Sequence, residues 1–124
     1  MSFETTIRVL KAASDPTRLR LLALLANGEA TVGELQAILE HSQPRVSRHL
    51  RLLDEAGLVE KFRDGHWVYY RLPDTAPLAA FIDEVLALAG VDDERLAGDR
   101  AALERVRQNR ARDAWREPKA GLFG

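Results

Sequence analysis

The chain has 124 residues, 46% of them hydrophobic, which suits one domain with a buried core. Its formal net charge of −1 excludes a general polycation, so any nucleic-acid reading must rest on local clusters of charge. Without cysteine there are no disulfides, thiolate metal sites, thiol redox sensors or cysteine nucleophiles.

The opening stretch MSFETTIRVLKAAS carries Glu4, Arg8 and Lys11 and lacks the apolar run of a signal peptide. No segment approaches the roughly 18 apolar residues of a membrane span, so a soluble cytoplasmic protein is expected. Residues 3–13 read as an amphipathic helix with Phe3, Ile7 and Leu10 on one side. The second helix opens at SDP, where Asp15 can cap and Pro16 suits the first helical position. Leu19, Leu22, Leu25 and Ala26 form its stripe, and Asn27-Gly28 ends it. Thr31 with Glu34 makes a capping box for a third, short helix whose apolar face is Leu35, Ile38 and Leu39.

After a turn at Glu40-His41, Ser42 is the N-cap expected for a fourth helix, with Pro44 in its first turn and Gly57 closing it. The period then changes to two. LVEKFR (58–63) and HWVYYRL (66–72) read as strands joined by Asp64-Gly65, a strong hairpin signal. Trp67 and Tyr69 share one strand face, Val68 and Tyr70 the other, and these aromatics are expected mostly in core and sheet packing. Pro73 and Pro77 bracket a loop. LAAFIDEVLALAG (78–90) is a fifth helix with Leu78, Phe81, Ile82, Val85 and Leu86 apolar. Residues 92–116 are charge-rich and helical in character, with Leu96, Leu103 and Val106 as a thin stripe and Gly98-Asp99 as a candidate break. The tail, 117–124, is expected to be flexible.

The fourth helix carries the chemistry. At ~100° per residue, with Val46 at zero, Leu50 falls near ~40° and Leu53 near ~340°, a stripe facing inward. Arg51, Arg48 and Arg45 fan out near ~140°, ~200° and ~260°, with Ser47 at the edge near ~100°. Leu52, near ~240°, breaks the pattern and is expected to be buried late in the helix. The planar fork of arginine pairs bidentately with guanine O6 and N7 or with phosphate, and Gln43 can read adenine or bond phosphate. Residues 42–72 hold six Lys/Arg against four Asp/Glu, a net of +2, while the remainder of the chain is −3.

On an isolated helix the three arginines would pass for a solvated face. Here they sit on the second helix of a helix–turn–helix followed by a basic-tipped hairpin, where a major-groove reader should carry them. The charges then face DNA and the leucines hold the helix to its domain. Lys61 and Arg63 before the hairpin turn, and His66 after it, place basic groups where a wing meets phosphate or minor groove.

These segments carry a resemblance. DPTRLRLLALL, TVGELQAIL, SQPRVSRHLRLLDEAGLV and DGHWVYYRL are similar, in unbroken order over roughly residues 7–90, to the ArsR-type winged helix transcriptional regulators. Ser42, Pro44, Val46, Ser47, His49 and Leu50 match the core of the family's recognition helix, the first serine one place earlier than is common. The resemblance implies a mainly α domain with a small β-hairpin wing, spanning 1–116. Its DNA-binding unit would cover about 16–72, and its dimerisation helices about 3–13 and 77–116. It implies a homodimer, built largely from the first and fifth helices, that binds double-stranded DNA at an inverted repeat and represses until an effector binds. Independently, the apolar fifth helix and the thin stripe of the last helix call for a partner.

The sequence departs from the family where many members sense metals. The cysteines of the thiolate sensors are missing, and the fifth helix offers Asp83 and Glu84 but no histidine. His41, His49 and His66 all lie in or near the DNA-binding unit; His41 reads as a turn residue and His49 as a phosphate contact or a packer at the core edge. Neither a metal nor another cofactor is expected, and a small-molecule effector is left open. The DNA-facing set is Ser42, Gln43, Arg45, Ser47, Arg48, His49, Arg51, Lys61, Arg63 and His66. An enzyme is a poor reading, since Ser47 and His49 diverge by ~200° on one helix and cannot join Asp54 in a triad. The other alternative is a winged helix used only for protein interaction, without DNA-binding activity.

Overall fold

The computed structural model describes residues 1–90 and 93–116, with side chains as far as residue 111. The expectation for the tail, 117–124, lies outside the described residues. In chain order the elements are α1 (Phe3–Ala13), α2 (Pro16–Leu25), β1 (Ala30–Thr31), α3 (Val32–Leu39), α4 (Gln43–Glu55), β2 (Glu60–Asp64), β3 (Trp67–Arg71), α5 (Leu78–Ala89) and α6 (Glu94–Arg116). This is a winged helix-turn-helix.

Local chemistry starts the helices where the sequence says. Asp15 Oδ2 accepts from the amide of Arg18 at 3.0 Å, and Pro16 occupies the first turn. Thr31 and Glu34 form the reciprocal capping box, at 2.9 and 3.2 Å. Ser42 Oγ accepts from the amide of Arg45 at 3.4 Å. The core gathers α2, α3 and α4 around Leu21, Leu22, Leu35, Val46, Leu50 and Leu53.

The sheet has three strands, not two, in the order β1-β3-β2 and antiparallel throughout. Ala30 and Thr31 pair with Tyr70 and Tyr69, a bridge too short to leave a period in the sequence. Asp64 pairs with Trp67, so the wing's two-residue loop is Gly65-His66 rather than Asp64-Gly65. Gly65 takes φ +64°, the positive value that the first position of a type II′ hairpin turn requires. Leu58 and Val59 are buried in the core just before β2 begins.

Three helix faces depart from the sequence reading. In α1 the buried residues are Val9, Ala12 and Ala13, whereas Phe3, Ile7 and Leu10 face outward. In α2 Leu21 and Leu24 join Leu22 and Leu25 in the interior, Leu19 is half-buried and Ala26 is exposed. That helix lies among α1, α4, α5 and α6, so no single stripe describes it. Finally, α6 runs unbroken through Gly98-Asp99 and packs on α2 and α3 of its own chain. Leu96 and Leu103 are buried there, so this stripe needs no partner molecule.

Polar contacts fix α6 in place. Asp99, 5% exposed, receives Arg20 Nε and Nη2 at 2.9 Å each. Arg110 clasps Glu34 at 2.9 and 2.5 Å and lies 5.6 Å over the Tyr69 ring. Arg107 donates to the carbonyl of Asn27, behind the end of α2.

Candidate nucleic-acid interface

The turn between α3 and α4 is made by Glu40, which takes a left-handed conformation at φ +56°, and by His41. His41 Nδ1 is buried without a hydrogen-bond partner among the described residues, and burial, reinforced by Arg45 and Arg20, holds its pKa below the ordinary histidine value. From Ser42 the chain enters α4. Ser42, Gln43, Arg45, Arg48 and Arg51 are exposed, while Val46, Leu50 and Leu53 are buried. The helical projection is thus realised in three dimensions, with a leucine–valine stripe inward and an arginine fan outward.

Side-chain contacts tune the outer face. Gln43 Nε2 donates to Ser47 Oγ at 2.8 Å, which orients the amide along the helix. Arg51 makes a loose, exposed pair with Glu55 at 3.9 Å, worth at most about 0.5 kcal/mol at such a spacing. Arg45 and Arg48 have no ion-pair partner among the described residues. Leu52 is only half-buried, beside Ile7 and Ala12 of α1.

His49 does not belong to this face. It is 7% exposed, and its Nδ1 accepts from Arg18 Nη1 at 3.2 Å, with Asp15 Oδ2 at 3.9 Å. Of the two roles considered for it, packing at the core edge fits its position. Burial lowers its pKa; Arg18, Arg45 and Arg48 lower it further, against the opposing pull of Asp15. Arg18 also donates from Nε to the carbonyl of Ala12 at 2.6 Å. One guanidinium therefore joins the end of α1, the start of α2 and α4. Sequence reading gave Arg18 no role, because nothing in DPTR shows that a fourth helix arrives beside it.

The wing presents Lys61, Arg63 and His66, all exposed. Lys61 pairs with Tyr70 and Arg63 with Val68, so these cations share a sheet face with Tyr70. Tyr70 packs on the core, and burial with the nearby Asp54 of α4 raises its pKa. Lys61 and Arg63 thus stand on the side of the wing that looks toward α4. On the opposite face Phe62 stacks on Tyr69 at 5.5 Å, with Arg71 lying 4.6 Å over Phe62. Those aromatics pack as expected, but Trp67 does not: it is 63% exposed at the wing tip. Among the described residues no three His, Asp or Glu side chains cluster as metal ligands would.

Comparison with known proteins agrees with this geometry. The pattern of the bacterial regulatory proteins of the ArsR family matches residues 15–61. The arsenical resistance operon repressor of Escherichia coli K12 is 45% identical over 87 residues, covering 68% of this chain and 74% of that protein. The biofilm growth-associated repressor of Agrobacterium fabrum is 39% identical over 71% of this chain and 74% of its own. Among solved structures, the transcriptional repressor BigR of Xylella fastidiosa superposes with a TM-score of 0.63 at 31% identity, covering 72% of this chain and 88% of that one. The homodimeric winged helix-turn-helix DNA-binding domain of a Mycobacterium bovis protein gives 0.63 at 32%, covering 69% and 79%. The chain belongs to the ArsR family of bacterial transcriptional regulators.

Proposed function

We propose that this protein is a homodimeric repressor that binds an inverted repeat in double-stranded DNA through the exposed face of α4 and the tip of the wing. The observation that carries the reading is the division of α4 into a buried Val46–Leu50–Leu53 stripe and an exposed Arg45–Arg48–Arg51 fan. Arg48, at the centre of the fan, is assigned to a base edge, and Arg45 and Arg51 to flanking phosphates or bases. Lys61, Arg63 and His66 are assigned to the backbone beside the half-site. Ser42, Gln43 and Ser47 complete the contact at the start of α4. Two recognition helices related by the dimer axis would enter major grooves about one turn, ~34 Å, apart.

No effector passes to this chain from its relatives' names. A chain without cysteine offers arsenic no thiolate, so release by arsenic through sulfur ligands is not part of the proposal.

Selection from a random duplex library by the purified protein, near physiological salt, tests the reading. An enriched inverted repeat with half-sites about one turn apart is expected. In that site Arg48→Ala should cost about 1–3 kcal/mol and relax the preference at one position. Arg63→Ala should instead weaken all sequences alike and reduce the salt slope by about 1. No enriched sequence would overturn the proposal and favour a protein-interaction module.

A further inference from the structure

Trp67 is the large apolar side chain that the fold leaves uncovered on the wing. The other aromatics of the sheet, Phe62, Tyr69 and Tyr70, are half-buried, while the indole is mostly in water. It follows the Gly65-His66 loop directly, and its cross-strand partner is the short side chain of Asp64, which cannot blanket it. Arg63 and His66 flank the same tip. We propose that Trp67 is itself a DNA-contacting residue, set by the wing against the sugars and base edges of a minor groove next to the half-site; this rests on the DNA-binding reading above.

The chemistry of the position selects the contact. Asp64 and Trp67 share one sheet face, and a carboxylate is repelled by phosphate. The contact available on that edge therefore falls to an uncharged group that can meet the groove interior. An indole supplies a broad apolar face for the deoxyribose walls and one N–H donor for the purine N3 and thymine O2 acceptors on the groove floor. Apolar side chains carried into minor grooves by basic elements act in this way. The cations on the α4 side of the wing would hold the tip to the backbone while the indole reads the width of the groove.

The chain has two tryptophans, Trp67 and Trp115, so Trp115→Phe leaves Trp67 as the sole indole reporter. The probe is the selected inverted repeat in a duplex of about three helical turns, with binding followed separately by the anisotropy of labelled DNA. Acrylamide quenching of Trp67 should fall as the duplex saturates, in step with the anisotropy. In the full-length protein Trp67→Ala should weaken binding about tenfold, with Trp67→Phe recovering part of the loss. Saturated DNA with unchanged acrylamide access to Trp67 would overturn the proposal, whatever the affinity of the variants. Protection that depends on protein concentration without DNA would overturn it in favour of a second copy covering the tip. Absence of an anisotropy change would instead mark failure of the DNA-binding reading itself.

Discussion

Arg18 can only donate, so His49 accepts its hydrogen bond through an unprotonated Nδ1 and occupies α4 as the neutral imidazole. Protonation would put a second cation against Arg18, in a place where burial already disfavours charge. Because the folded pKa lies below the ordinary value of about 6.5, the folded state binds fewer protons than the unfolded one over that interval. Stability is therefore fully present above about pH 6.5 and declines as pH falls toward the folded pKa. The melting temperature should drop between about pH 7.5 and 5.5, and His49→Gln should flatten part of that slope. His41, lowered for the same reason of burial, supplies a residual slope in the variant. Asp15 is pulled up by burial, but the Arg18 amide, the Arg18 charge and the Thr17 amide act against this and leave it low. Its own contribution is lost only below about pH 4, outside the window. A thermal scan across pH that showed no difference between wild type and His49→Gln would refute the neutral-imidazole account.

Elements divide into those that local chemistry specifies and those that neighbours specify. Asp15, Thr31 with Glu34, and Ser42 start their helices through hydrogen bonds to amides three residues away, so their roles are legible in a linear string. The face of α4 is legible for a related reason: it packs by one stripe only, and the helical period then decides which side is wet. The faces of α1 and α2 are not, because α2 is surrounded and α1 turns its larger apolar residues away from the core. Within α6, at the Gly98-Asp99 step, Asp99 is bound by Arg20, a residue 79 positions earlier, which no local signal reveals. Asp99→Ala removes one partner of this largely buried pair and should destabilise the fold by about 2–4 kcal/mol in urea. Replacing both residues with leucine should recover most of that loss, since the penalty arises from the stranded charge. Full recovery by Arg20→Leu alone would contradict the pairing.

For the whole molecule, we propose that the apolar residues left in water on α1 and α5 form the surface for a second protomer. Phe3 is 78% exposed and Leu88 87%, and Ile7 and Leu10 continue the outer face of α1. They lie on the helices from which the family resemblance builds a dimer, whereas the stripe of α6 is already used within the chain. The double substitution Phe3→Glu/Leu88→Glu should shift sedimentation equilibrium toward the monomer while leaving the far-UV spectrum of the chain intact. Affinity for a two-half-site duplex should then fall by at least about a hundredfold, toward that for a single half-site, because the second contact is no longer intramolecular. An unaltered molecular weight would place the interface elsewhere.

The clasp of Arg110 on Glu34 and Tyr69 also has an electrostatic side. Residues 94–116 contain seven arginines against four acids, a net of +3, which exceeds the +2 of the segment from 42 to 72. With the chain at −1, everything outside α6 sums to −4. By lying along α2 and α3 and reaching the wing, α6 delivers the largest positive contribution of any element to an otherwise acidic body. A duplex approaching the wing would therefore meet a potential set partly by a helix outside the reading head, and removing residues 94–116 would leave the rest of the chain with a net charge of −4.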